Sequence, residues 1–526
     1  MQAQSLFSTR LLPGSLVPNR RLRELVALLA GAALAMAFAP FNVWPFALLS
    51  PAVLIWLWEG AKPREGAWLG FWFSAGTFAA GTYWLYISIH VFGQAALWIA
   101  FGLMAALVAI MAAYHALLGY LVARWFPSSG PLRWMVAIPA AWVLMEWWRG
   151  WFASGFAWLS LGYSQTDTWL GGYAPVLGVY GISTLLLLSA GCVVTAVLGS
   201  TRARATAVAA LATVWGAGAA LLGAEWTHPS GAPVSVAIVQ GAISQDLKWL
   251  EENRDTTLAL YRKLNTQALG ASVIVWPESA LPDLANNLLP YLRDVYSEAH
   301  AQGSTVIMGL VRADQTPDTY FNSVLGLGEN VQWYDKHHLV PFAEFFPVPS
   351  FVRSWMKLNS LPYTDFTPGA DYQPPLKAGK LSLSATICYE DAYGSSQLDS
   401  LRTADGLVNV TNDAWFGRST ARHQHFQIAR MRAMEAERFM LRAANDGISG
   451  VIGPHGEVVA RAVEFQPYVL KAEITPRLGL PPYARVGNWL IVSLATTALA
   501  FALTRYRLAR RRTSVAAAGT AAAQVR

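Results

Sequence analysis

The chain has 526 residues, of which 54% are hydrophobic and only 13% charged, and 23 are Trp. That balance excludes an ordinary soluble domain of this length and indicates a membrane protein. The formal net charge of +7 is concentrated in short loops and a basic tail, a topological signal rather than a nucleic-acid footprint, so no nucleic-acid partner is expected.

Crossing a hydrocarbon core takes roughly 20 helical residues. Eight apolar runs are read as spans, at 24–40, 42–58, 66–90, 94–123, 133–148, 172–198, 205–223 and 487–504. Basic residues gather in alternate loops: Arg10, Arg20, Arg21 and Arg23, then Lys62 and Arg64, then Arg124 and Arg133, then Arg202 and Arg204. The intervening loops hold only Arg149. By the positive-inside rule the N-terminus is cytoplasmic, and seven crossings deliver the segment after residue 223 to the outer face. The tail agrees, because Arg505, Arg507, Arg510, Arg511 and Arg512 follow the last span. The expected domains are therefore a membrane bundle over 1–228, an outer domain over 229–480, and a final span with a cytoplasmic tail over 481–526. His115, in "AAYHALLGY", is ionisable at membrane depth and reads either as a functional group or as a neutral histidine bonded to a neighbouring helix.

From about residue 232 the pattern changes to short β-rich runs alternating with amphipathic helices, which predicts an α/β domain. The strand-like runs are "VSVAIVQ", "SVIVWPE", "STVIMGLV", "NSVLGLG", "VQWYDKHHL", "LSLSATICYE" and "GLVNVTN". A hairpin is expected around Pro454-His455-Gly456, and helices over 245–268 and 421–445.

Three of these runs end in reactive groups: Glu278, Lys336 and Cys388. Ligands gather beyond the carboxyl ends of strands in open α/β sheets, so the three converge if their strands are neighbours. A thiol needs a base to become a nucleophile, and a fixed ammonium favours the thiolate and stabilises an oxyanion on a substrate carbonyl. Spacing alone leaves the bland alternative open, a small core thiol and two solvated strand-end charges. The other cysteine, Cys192, falls within the sixth span, so no disulfide is expected.

The local motifs go further. "WPES" around Glu278, "YDKHHLVPFAEFFP" around Lys336 and Glu344, "ICYEDAYG" around Cys388 and "VTNDAWFG" at 410–417 resemble the signatures of the nitrilase, or carbon-nitrogen hydrolase, superfamily. Joined to a multi-span N-terminal region and one C-terminal span, they resemble its bacterial apolipoprotein N-acyltransferase family. The resemblance covers essentially the whole chain. It implies a membrane α-helical bundle of about eight transmembrane helices plus an extracytoplasmic αββα sandwich. It also implies catalysis by Glu278, Lys336 and Cys388, support from Glu344, Tyr389 and Glu390, and substrate contacts from Trp249, Phe346 and Trp415.

The implied reaction moves an acyl chain from a membrane phospholipid, through a Cys388 thioester, to the α-amine of a diacylglyceryl-modified apolipoprotein cysteine. A phosphatidylethanolamine-like donor, a monomeric enzyme and the bacterial cytoplasmic (inner) membrane are expected, with the catalytic domain periplasmic. No cofactor is called for, since the donor ester is already activated and the chain has neither a phosphate-binding P-loop nor a dinucleotide fingerprint. His337, His338, His423 and His425 lack the ligand spacing of a metal site, so none is expected. Two rivals remain, a membrane-tethered amidase with water as acceptor and a transporter whose outer domain only binds. Against the latter, the spans show no paired charges marking a polar pathway. Finally, "FFPVPSFVRSWMKLNSLPY", Phe345 to Tyr363, is aromatic enough to predict a lid entering the outer leaflet through residues such as Phe346 and Trp355.

Overall fold

The computed structural model describes residues 12–345 and 365–524, with side chains through residue 511. Residues 346–363 of the proposed lid, Phe346 and Trp355 among them, lie outside the described residues. The chain forms two compact units: a helical one, Met1–Tyr83, Leu97–Ala224 and Asn488–Arg526, and an α/β one, Trp84–Ala96 and Glu225–Gly487.

The α/β unit contains two six-stranded sheets. In chain order the strands of the first are β1 (Val234–Gln240), β2 (Val273–Val275), β3 (Thr305–Ala313), β4 (Tyr320–Leu327) and β5 (Val331–Asp335). Those of the second are β6 (Leu376–Ala378), β7 (Leu381–Ile387), β8 (Gly406–Thr411), β9 (Met440–Ala444), β10 (Gly450–Ile452) and β11 (Val458–Arg461), and β12 (Tyr468–Ile474) returns to the first sheet. The orders are β12-β1-β2-β3-β4-β5 and β11-β10-β9-β8-β7-β6. In each sheet three parallel strands (β1, β2, β3 and β7, β8, β9) form the middle, with antiparallel joints on both sides.

Strand alternation decides the layering, because successive side chains point to opposite faces. Val236, Ile238, Val275 and Ile307 pack with Leu383, Ile387, Val408 and Leu441 in one core between the sheets. The opposite face of the first sheet, with Ala237, Val239 and Met308, is covered by the helices Arg254–Ala268 and Leu289–Ala301. Leu407, Met440 and Ile452 of the second are covered by the helix Ala421–Ala436. The result is the expected αββα sandwich.

Two predicted helices are shorter than the apolar pattern implies. The run over 421–445 ends at Ala436, turns through Glu437 at φ +47°, and continues as β9 in the middle of the second sheet. Periodicity does not separate a short buried strand from the end of a buried helix, and "FMLRAA" satisfies both. The run over 245–268 divides into Gln245–Lys248 and Arg254–Ala268, with Trp249 exposed at the break. The hairpin at Pro454-His455-Gly456 joins β10 to β11 as predicted.

In the helical unit each of the eight apolar runs contains a helix. Among the described residues, four helices are long and apolar enough to cross a membrane: Leu97–Trp125, Trp169–Leu198, Thr201–Leu221 and Trp489–Arg511. The run over 66–90 is not one continuous helix, for the helix Pro63–Gly81 stops at Gly81. Residues 84–96 belong to the α/β unit, where Trp84 donates to Gln424 at 3.2 Å and Ser88 to the Trp415 carbonyl at 2.8 Å. Hydropathy does not distinguish a segment packed on protein from one facing lipid.

Two arginines counted among the loop charges are instead buried. Arg133 pairs with Glu59 at 2.9 Å and donates to the Trp58 carbonyl, while Arg149 donates to the carbonyls of Phe156 and Trp158 at 2.7 and 2.8 Å. Glu146, 4.0 Å from Arg149, accepts from the Leu161 N–H. The helical unit thus does hold paired charges, but their hydrogen bonds are spent on helix ends and loop backbone, so they mark architecture rather than a pathway. His115 is buried with its ring edge-on to Trp142, centroids 4.9 Å apart.

The helix Pro63–Gly81 packs closely on its neighbours through glycines. A Cβ on Gly70 would lie 2.1 Å from the His115 carbonyl oxygen, and one on Gly31 would lie 1.8 Å from that of Phe73. Only glycine admits backbones this near each other, the small-residue mode of helix association in membranes. Gly70→Val should therefore force these helices apart and cost about 2 kcal/mol, read as a lower Tm of the full chain in detergent; an unchanged Tm would contradict the packing.

Candidate active site

Glu278, Lys336 and Cys388 each follow a strand end, of β2, β5 and β7 respectively. The first is delivered by Trp276, whose N–H donates to the Ile307 carbonyl at 2.8 Å and so extends the β2–β3 pairing. Gly309 in β3 makes room, since a Cβ there would lie 2.5 Å from the Glu278 Cα. Lys336 is anchored by its own N–H on the Asn322 carbonyl in β4, at 2.8 Å. Cys388 opens a short turn at φ +51°, a left-handed conformation that a non-glycine residue holds only when its surroundings impose it.

The Lys336 side chain is only 1% exposed, and its ammonium lies 2.8 Å from Glu344 Oε1 and 3.6 Å from Glu278 Oε1. Asn322 Nδ2 joins the two carboxylates, donating to Glu278 Oε1 at 2.7 Å and to Glu344 Oε1 at 3.0 Å. The second Glu344 oxygen accepts from the Val340 N–H at 2.8 Å, closing a loop around the lysine. Burial pulls the Lys336 pKa down, but Glu344, then Glu278 and Cys388, outweigh it and hold the ammonium well above its ordinary value.

The Cys388 thiol feels the same neighbours with opposite effect. Burial raises its pKa first and Glu278 adds to the rise, against the attraction of Lys336. At rest the thiol keeps its proton, so attack requires a base to remove it.

Glu390 links the lysine and cysteine segments. Its Oε1 accepts from the N–H groups of His337 and His338 at 2.7 and 3.1 Å, and its Oε2 from the Ile387 N–H at 2.8 Å and the Tyr334 hydroxyl at 3.0 Å. Burial nevertheless leaves its pKa raised. Tyr389 is partly buried, its ring edge-on to Tyr393. Trp249 and Trp415 are 51% and 41% exposed, at the surface of the α/β unit rather than among these buried charges.

Several groups at the site escaped the sequence motifs. Asn322 sits in a run read only as a strand. Lys248, beside Trp249 in "SQDLKW", is fully buried with its ammonium 3.4 Å from the Glu278 carbonyl oxygen; burial brings it down to about 8 against the pull of Glu278. Beneath Cys388 lies a second charged set, Asp391, Asp413, His425 and Arg442, together with Asn409. Asp391 and Asp413 stand inside quoted motifs, whereas Arg442 stood in the run read as helix.

Comparison with known proteins gives the family. Residues 30–192 match the family model described as the apolipoprotein N-acyltransferase N-terminal domain, and residues 235–479 match that of carbon-nitrogen hydrolase. The chain is 40% identical over 484 residues to the apolipoprotein N-acyltransferase of Methylococcus capsulatus, covering 92% of this chain and 96% of that one. It is 38% identical to the protein of that name from Pseudomonas putida, covering 93% and 97%, and 36% identical to that from Vibrio cholerae, covering 94% and 100%. With both halves matched in order and nearly the whole length of each relative covered, the chain belongs to the apolipoprotein N-acyltransferase family.

Proposed function

We propose that this chain is an N-acyltransferase of lipoprotein maturation, working through a thioester on Cys388. The observation that carries the assignment of residues is the buried Glu278–Lys336 pair, 3.6 Å apart, acting on a thiol that is protonated at rest. In the first half-reaction Glu278 takes the thiol proton as sulfur attacks the ester carbonyl of a phospholipid. Lys336 and the Tyr389 N–H stabilise the tetrahedral oxyanion. Its collapse breaks the ester C–O bond, and Glu278 returns the proton to the departing lysophospholipid alkoxide.

In the second half-reaction the α-amine of a diacylglyceryl-cysteine attacks the thioester carbonyl and gives a proton to Glu278. Collapse forms the amide and expels the Cys388 thiolate, which recovers that proton. Glu344 holds Lys336 in place, and Glu390 sets the spacing between the lysine and cysteine segments. Trp249, Trp415 and Phe346 are assigned to substrate contact. The acyltransferase names of the relatives favour an amine acceptor over water.

The same reading places eight spans in the bacterial inner membrane, with the α/β domain of 229–480 periplasmic and both termini cytoplasmic. A phosphatidylethanolamine-like donor and a monomeric enzyme complete it. Reporters fused after residue 230 should then read as external and those after residue 512 as cytoplasmic; an external C-terminus would mean a different number of crossings.

Intact mass spectrometry of the protein incubated with phospholipid vesicles should show an acyl adduct on wild type and on Cys192→Ser, and none on Cys388→Ser. Cys192 is buried in the helix Ala174–Leu198, remote in sequence from the motifs. Loss of the adduct in a folded Cys192→Ser protein would sink the single-nucleophile assignment. Lys336→Arg keeps the charge but not the compact ammonium that fits between Glu278 and Glu344, so it and Lys336→Ala should each lose about 100-fold or more in acylation rate. Near-normal activity in the arginine variant would reduce the role of Lys336 to long-range charge.

A further inference from the structure

The charged set beneath Cys388 has no part in the chemistry above. His425, on the helix Ala421–Ala436, places Nδ1 2.7 Å from Asp413 Oδ1. Its Nε2 lies 3.1 Å from Asp391 Oδ1 and 3.2 Å from the Cys388 carbonyl oxygen. Arg442 of β9 donates to the remaining oxygen of each aspartate, at 3.1 Å in both cases, and to Asn409 Oδ1 at 2.6 Å. All of these side chains are buried.

Carboxylates and carbonyls only accept, so a ring facing them with both nitrogens must donate from both, which makes it an imidazolium. Charge balance points the same way. With His425 charged, two cations meet two anions; with it neutral, one negative charge is left unpaired in the interior, where that is costly. Burial and Arg442 push the His425 pKa down, but Asp391 and Asp413 outweigh them and raise it to about 9. Asp413 is in turn held below its ordinary value, His425 and Arg442 overcoming the effect of burial.

The Cys388 carbonyl also accepts from Asn409 Nδ2, at 3.2 Å. In a planar trans peptide the N–H points opposite to the C=O, so pinning this oxygen downward turns the Tyr389 N–H away from the charged set. Donation from a cation polarises the peptide unit and strengthens its N–H as a donor. We propose that the imidazolium of His425 is a positioning group that, with Asn409, fixes and polarises the Cys388–Tyr389 peptide so that its N–H is a preorganised donor to the acyl oxyanion. This rests on the thioester reading of the site.

The sign of the pH dependence follows. The imidazolium is present below about pH 9 and is lost as pH rises through it. Losing it removes the charged donor and leaves a net negative charge beside Cys388, so acylation should slow on the alkaline side. Among the groups facing His425 are Asp391 from the cysteine turn, Asp413 from the turn after β8, Arg442 from β9 and the Cys388 carbonyl. Lys248, brought down to about 8 on the Glu278 side, titrates nearby and needs its own control.

The experiment uses the full chain in phospholipid-containing micelles. NMR of isotope-labelled histidine follows the protonation of His425, and rapid-quench mass spectrometry follows acylation of Cys388 from neutral to alkaline pH, in wild type and in Lys248→Met. Both ring nitrogens should be protonated at neutral pH, and the acylation rate should fall in step with their titration in both proteins. His425→Asn should slow acylation about 100-fold without raising KM for the donor, and should lose this alkaline limb. A neutral ring at neutral pH, or a rate indifferent to its titration, overturns the inference; the wild-type measurements decide this even if the variant does not fold. Should wild-type Cys388 never carry an acyl group, the thioester reading itself is what fails.

Discussion

The α/β unit is organised by the cost of holding the Lys336 ammonium out of water. A buried amine without carboxylate partners sheds its proton rather than stay charged. Here Glu344 and Glu278 keep it charged, and each must in turn be held against the other, which Asn322 does by donating to both. The lysine loop, the β2 end and β4 are thereby tied to one point. Gly309 is required for the same reason, because only its missing Cβ lets β3 run beside Glu278.

The charges around Cys388 form two sets, one on each side of it. The upper set, Glu278, Glu344, Lys336 and Lys248, gathers around Glu278 and Lys336, the two that act on the thiol; the lower set, Asp391, Asp413, Arg442 and His425, meets the Cys388 backbone carbonyl through His425. In formal charge each set balances. Burial and then Glu278 keep the thiol protonated against the attraction of Lys336. The lower set holds the strained turn at φ +51° through its contacts with the Cys388 carbonyl, and Asp413 adds to the rise in the thiol pKa. Glu390 spans the remaining gap by accepting backbone N–H groups from both the lysine and cysteine segments.

The helical unit solves a different problem with different residues. Apolar side chains gain little from packing on one another when lipid is equally apolar, so close backbone approach and hydrogen bonds must hold the helices. Gly31, Gly66 and Gly70 provide the approach, and Glu59 with Arg133 and Glu146 with Arg149 satisfy helix ends and loop backbone. The same residue types that report topology when they sit in loops therefore serve packing when they are buried.

By itself the sequence determined the membrane character, the α/β class of the second half and the strand-end positions of Glu278, Lys336 and Cys388, while the αββα layering was implied by the family resemblance. Those depend on local composition, on alternation along a strand and on contiguous motifs around each residue. Only the tertiary structure decided that Asn322, Lys248, His425 and Arg442 stand with them. Each lies in a run whose local pattern is that of an ordinary strand or helix, and its partners are distant in the chain: Asn322 meets Glu278 and Glu344, and Arg442 meets Asp391 and Asp413. The end of the helix at Ala436 and the transfer of 84–96 to the α/β unit were likewise settled by packing. An apolar run carries its hydrophobicity in the sequence, but the surface that buries it is chosen by the fold.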